Sequence, residues 1–237
     1  MDFQNTTRRQ FVLSGALAGV GALTLTAPLM ALAKESEKKK EQVEVGPAED
    51  LMREHGGLNR ILLIYEEGLR RLDGKGDFDP GSIQQSAAII RTFIENYHEK
   101  LEEEFILPRM RKLGKLVSLV DTLEAQHKAG RKLTEKIEKL ATVSGLKVAS
   151  DRETLIASMQ AFIRMYRPHE SREDTILFPA FHESMTEKEY DKLGDQFEDR
   201  EHKLFGKAGF EGVVVHISEI EKSLGIYELS QFTPVDK

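Results

Sequence analysis

An all-α fold is predicted by three features of this 237-residue sequence. Leu, Glu, Lys, Ala and Arg dominate its composition, and only a few short stretches favour strands. Apolar residues recur at spacings of three and four through four long stretches, the period of a helix with one buried face. Two of those stretches also echo each other: YHEKLEEEFILP at 97–108 and PHESREDTILFP at 168–179 both carry His-Glu-x-x-Glu and reach a proline ten residues after the histidine. A lone histidine precedes each copy, His55 by 43 residues and His127 by 42, so one unit of about half a small domain is used twice.

The chain begins with a segment that stands apart from the fold. Thr7-Arg8-Arg9-Gln10-Phe11-Val12-Leu13 resembles a twin-arginine export signal, and an uncharged run over 11–33 ends in Ala31-Leu32-Ala33. Residues 1–33 are therefore expected to be a signal peptide cleaved after Ala33, with delivery to the periplasm or another exported location. An uncleaved anchor is the alternative, but three glycines, Pro28 and the Ala-x-Ala ending favour the signal, leaving no stable membrane span after cleavage. Residues 34–46, rich in Lys, Glu, Ser and Gln, form a charged linker.

The bundle region is expected over 47–184. Pro47 opens helix one, where a missing N–H costs nothing, and the helix runs to about Leu72. Asp79-Pro80 starts helix two, which reaches about Leu107; helix three covers about 116–141. Ser150 and Glu153 form a capping box for helix four, which continues to about His182. Pro168 lies inside it and predicts either a local kink or a break and restart. A C-terminal helical extension over 185–237 follows, with a Thr186/Glu189 capping box for a fifth helix, a glycine-punctuated turn over 204–209, and a sixth helix over 210–224. The apolar tail (Ile226, Tyr227, Leu229, Phe232) is expected to pack back on the bundle.

The chemistry lies on the inward faces. In helix one, His55 shares its stripe with Leu51, Leu58, Leu62, Tyr65, Leu69 and Leu72. His98 aligns with Ile90, Ile94, Leu101 and Phe105, and His127 with Val120, Leu123, Gly130 and Ile137. His169 and Glu173 continue Leu155, Met159, Phe162 and Tyr166, and Ile176 follows on the same stripe. A histidine and a glutamate at i and i+4, as in His98/Glu102 and His169/Glu173, lie one helical turn apart and can reach the same point. A single inward histidine is ordinarily a hydrogen-bonded core residue, but six polar groups together change the balance. Each buried polar group without a partner costs about 1–3 kcal/mol, against about 5–15 kcal/mol of stability for a whole domain. A bound cation resolves this conflict, so His55, His98, Glu102, His127, His169 and Glu173 are the candidate metal ligands.

Composition excludes other chemistries. There is no cysteine, which removes disulfides, thiolate metal sites, cysteine-linked haem and a lipoprotein anchor. The formal net charge is −6, and no basic stripe alternates with aromatics, so no nucleic-acid partner is expected.

These residues resemble the hemerythrin-like proteins with a His-His-Glu cation-binding domain, over about 51–181 and with the ligands in that family's order. The resemblance implies an antiparallel up-down four-helix bundle around two non-haem iron ions (Fe2+/Fe3+) bridged by carboxylates, with no haem. Two departures stand out. Where the oxygen-carrying members place a second histidine on the third helix, this chain has Arg131, expected to turn toward solvent or an acidic neighbour. Their last carboxylate follows its histidine by five residues, whereas Glu173 follows by four. The implied function is a di-iron centre that binds or reacts with dioxygen, peroxide or nitric oxide; the alternatives are a sensor or iron store, and a structural zinc site. A ferritin-like site would need Glu-x-x-His pairs instead.

Several other residues are secondary candidates. Glu99 and Glu170 point about 100° away from the ligand face and are expected to be solvated or to stand behind the ligands, with Glu99 a possible approach to the metals. His202 is the alternative fifth histidine ligand. His182 and His216 are expected to be structural or exposed. Tyr65, Tyr97 and Tyr166 lie near the ligand layer.

Overall fold

A computed structural model describes residues 45–74 and 78–234. The twin-arginine motif, the uncharged run with its cleavage site, and the linker up to residue 44 lie outside the described residues. All regular structure among the described residues is helical. No described helix is long and apolar enough to cross a membrane.

Helix α1 spans Pro47–Asp73, with the proline in its first turn, Glu49 and Asp50 at its positive N-terminal end and Arg70 and Arg71 at its negative C-terminal end. Helix α2 occupies 81–112 as one continuous rod, and α3 spans Val117–Leu140. A short helix not expected from the sequence, α4 (Val143–Lys147), follows; the Thr142 side chain caps it by accepting from the Gly145 N–H. Helix α5 occupies 149–182, α6 spans Glu187–Phe205 and α7 spans Gly209–Leu224. Helix α1 packs on α2, α2 on α3, α3 on α5, and α5 returns to α1, while α7 lies against α1 and α2 with α6 beside it.

Two local expectations change, one alternative is excluded, and Ile176, expected on the inward stripe, is 43% exposed because the widened turn after Glu173 shifts the residues beyond it off that face. The Ser150/Glu153 capping box does not form: α5 starts at Ala149 with Val148 as its cap and no side-chain hydrogen bond. Since α4 already makes the turn, Ser150 is inside the helix when it would have to precede it. Helix α5 passes through Pro168 without interruption, which excludes the break and restart. The C-terminal tail stays outside the core, with Leu229 82%, Phe232 48% and Tyr227 43% exposed. At the end of α7, Gly225 takes a left-handed φ of 68°, its N–H bonds to the Lys222 carbonyl, and the Ile226 N–H reaches back to the Glu221 carbonyl. Only Ile226 packs against the core, while Tyr227 lies under the Lys222 ammonium at 4.5 Å. By contrast, the Thr186/Glu189 capping box is fully formed.

Helices α2 and α5 are not α-helical throughout. Helix α2 carries π-helical stretches at Ile90–His98 and Glu102–Ile106, and α5 carries one at Glu173–Leu177. In both copies of the repeat the widened turn begins at the glutamate and ends just before the proline: the Leu107 N–H bonds to the Glu102 carbonyl, and the Phe178 N–H to that of Glu173. Pro108 and Pro179 have no N–H to donate, and their rings would crowd the carbonyl four residues back in a regular helix. A five-residue turn ahead of the ring relieves that crowding, which gives the repeated proline a structural reason. Wide turns of this kind commonly accompany functional sites.

The core joins all these helices. Tyr65, Phe93, Tyr97, Phe162, Tyr166, Phe178 and Phe181 are its largest fully buried side chains, and Tyr190, Phe197, Phe210, Ile217 and Ile220 extend it under α6 and α7. Each such side chain contributes about 1.5–3 kcal/mol by leaving water.

Candidate metal centre

The core is interrupted at one level by polar groups. His55 projects from α1, His98 and Glu102 from α2, His127 from α3, and His169 and Glu173 from α5, and none of the six is more than 3% exposed. All four Nε2 atoms face the two carboxylates. His98 Nε2 lies 3.6 Å from Glu102 Oε1 and His127 Nε2 lies 3.3 Å from Glu102 Oε2. Glu173 Oε2 stands 3.1 Å from His169 Nε2 and 3.4 Å from His55 Nε2, and its Oε1 is 3.9 Å from His127 Nε2. Each carboxylate thus spans both halves of the repeat.

Neither carboxylate has a hydrogen-bond partner on either oxygen, and His127 Nε2 has none. His55 Nε2 and His98 Nε2 face each other at 3.1 Å, a poor arrangement for two neutral imidazoles whose lone pairs both point inward. Donor atoms bound at about 2.1 Å to a shared cation stand about 3 Å apart, so this spacing suits ligation. Among the described residues four groups have ligand atoms close enough to hold one ion: His55/His98/Glu102 and His127/His169/Glu173, which together use all six candidates, then Glu99/Glu103/His127 and Asp50/Glu54/Glu201.

The electrostatics point the same way. Burial resists ionisation of Glu102 and Glu173, but the surrounding histidines outweigh it and hold both carboxyls below the usual range. Burial likewise opposes charging of His55, yet the hydrogen bonds to Asp174 and Glu173 lift its pKa to about 9. The cavity thus favours anionic carboxylates balanced by positive charge, which protonated imidazoles or a bound cation can supply.

The outward ring nitrogens are held by residues the sequence reading did not single out. His98 Nδ1–H donates to Glu54 Oε2 at 2.7 Å, His55 Nδ1–H to Asp174 Oδ1 at 2.7 Å, His127 Nδ1–H to Glu103 Oε1 at 3.3 Å, and His169 Nδ1–H to Gln126 Oε1 at 2.9 Å. These bonds fix the tautomer that presents Nε2 to the centre. Each orienting residue is the chain neighbour of a candidate ligand on its own helix, yet serves a histidine on the next: α1 serves α2, α2 serves α3, α3 serves α5, and α5 serves α1. The available signal was the acidic or amide residue beside each ligand.

Glu99 and Glu170 are not solvated: they are 1% and 2% exposed. Glu99 accepts from the Tyr166 hydroxyl at 2.7 Å and pairs with Arg131 at 2.7 Å, while Glu170 accepts from Asn59. Burial pushes the Glu170 carboxyl up to about 7. Arg131 also meets Glu103 at 2.7 Å, so its charge is turned to acidic neighbours as expected. Tyr97 donates to Glu201 at 3.3 Å, and the buried Tyr65 hydroxyl has no partner. His202 belongs to none of the candidate metal groups among the described residues. His182 stacks on Tyr190 at 3.8 Å, and His216 is exposed.

Helical architecture and a buried His/Glu centre together define a cation-binding helical protein. A family model described as the hemerythrin HHE cation binding domain matches residues 46–181 and, overlapping them, 118–202, and the chain belongs to that family. It is 44% identical over 230 residues to uncharacterized proteins of Mycobacterium bovis and of two strains of Mycobacterium tuberculosis, covering 96% of this chain and 90% of each relative. No solved structure matches the chain at a significant level.

Proposed function

We propose that this is a non-haem di-iron protein that binds or reacts with a small oxidant, namely dioxygen, peroxide or nitric oxide. In this reading His55, His98, His127 and His169 would supply the imidazoles and Glu102 and Glu173 the carboxylates that hold two ions, and the four long helices would form an antiparallel up-down bundle around them. The observation that carries it is the pair of buried carboxylates with all four oxygens unpartnered, ringed by four inward Nε2 atoms. Imidazole and carboxylate together suit iron, which would supply Lewis acidity and one-electron chemistry.

The protein's own groups do the rest. Glu54, Asp174, Glu103 and Gln126 hold the imidazoles in register, and Phe178 stacks on His55 at 5.7 Å, keeping bulk water off that ring. Two imidazoles per ion leave room for a small exogenous ligand, which favours reaction or gas binding over a closed structural zinc site.

Purified protein loaded anaerobically with ferrous iron should hold two ions per chain and change its optical spectrum on mixing with dioxygen, peroxide or nitric oxide. Dioxygen taken up should not return under vacuum. Its return unchanged would instead make the protein a carrier or sensor. We further propose export by the twin-arginine route, since that route moves folded, loaded proteins. Replacing both Arg8 and Arg9 by Lys should then leave the protein in the cytoplasmic fraction.

A further inference from the structure

The internal repeat is broken where it matters for the metals. Glu54 and Gln126 are equivalent positions, each just before the first histidine of its half, and Glu103 and Asp174 are equivalent positions just after the glutamates. Three of the four orienting acceptors are carboxylates, and the fourth, on His169, is a neutral amide. A carboxylate accepting Nδ1–H pushes electron density toward Nε2 and strengthens it as a donor; an amide oxygen does so less.

The acceptor on the other histidine of that half is weakened too. Glu103 lies 3.3 Å from His127 Nδ1, against 2.7 Å for the acceptors on His55 and His98, and its charge is shared with Arg131 at 2.7 Å and Lys100 at 2.5 Å. The same half also borders a surface groove. This groove, of about 400 Å³ between α3 and α5, is lined by Leu119, Leu123, Gln126, Pro168, His169 and Arg172. It therefore brings solvent to the Gln126–His169 pair.

We infer that the two cation positions are unequal: the position served by His127, His169 and Glu173 is the weaker, exchangeable one, with Gln126 the positioning residue that sets its affinity and the groove beside His169 its mouth. This rests on the two-cation reading proposed above. The protein so built keeps one ion firmly and takes up or releases the other.

Anaerobic titration of metal-free protein with Fe2+ or Co2+, followed by calorimetry and by the visible Co2+ bands, tests it. The wild type should bind two ions in two resolved steps. Gln126→Glu should tighten the second step by about tenfold or more and leave the first unchanged, and Glu54→Gln should weaken the first by a similar factor. A chelator should remove one ion well before the other, and Leu119→Trp, which fills the groove, should slow that removal. Circular dichroism checks that each variant is folded. Two equal sites in the wild type, or a Gln126→Glu variant with unchanged steps, overturn the inference while leaving the two-cation reading intact. Fewer than two bound ions in the wild type overturn that reading itself.

Discussion

Glu102 and Glu173 are fully buried, and their oxygens make no hydrogen bond and face imidazole nitrogens. Their retention in such a place is explained by ligation. Glu102→Ala and His169→Ala are accordingly expected to lose bound iron and with it any reaction with oxidant, as measured by metal content per chain and stopped-flow absorbance. Arg131 gives a second prediction at this scale. Its guanidinium is the ion-pair partner of buried Glu99 and supports Glu103, so Arg131→Leu strands a carboxylate in the core. Removing one partner of a fully buried pair costs about 3–5 kcal/mol. Since Arg131 is 25% exposed, solvent screening reduces the expected loss to about 2 kcal/mol, read from denaturant unfolding.

Helices α3 and α5 meet closely at Gly130, where an added Cβ would lie 2.1 Å from the Tyr166 hydroxyl oxygen. A side chain there must push Tyr166 away from Glu99. Gly130→Ala is expected to cost about 1–3 kcal/mol and to lower the melting temperature. A milder effect belongs to the start of α6. Both halves of its capping box are made, so Thr186→Ala should cost about 1 kcal/mol, visible as a small shift of the unfolding midpoint with the metal content unchanged. The widened turns after Glu102 and Glu173 are the same device used twice. They turn the repeated proline into a local feature of each ligand-bearing helix.

Across the whole molecule, folding and cation binding are expected to be coupled. The metal-binding cluster draws on four separate helices, and α7 closes the outside of α1 with Phe210 packed where a Cβ on Gly57 would stand 2.9 Å from its ring. Any ion bound only by the folded state stabilises it by RT ln(1 + [L]/Kd), about 2.7 kcal/mol at a hundredfold excess over Kd. The melting temperature should rise with added Fe2+ and fall again with chelator. Equal melting curves with and without metal would show that the centre does not bind ions in the folded state.

The sequence by itself determined the helices and the inward stripe, because a 3.6-residue period and an i, i+4 His/Glu pair are local properties of one strand of code. It also located the repeat that puts His55, His98, Glu102, His127, His169 and Glu173 on those stripes. Local logic reached its limit at the Ser150/Glu153 cap, where α4 had already made the turn, and at the tail, whose apolar residues met a core already filled by α7. It reached the same limit at Glu99 and Glu170, which look polar-faced on their own helices but are enclosed by Arg131, Tyr166 and Asn59 from others. The orienting ring of Glu54, Asp174, Glu103 and Gln126 was decided only by the tertiary structure. Each of those residues acts on a histidine of a different helix, and no spacing along a single helix encodes which neighbour it will face.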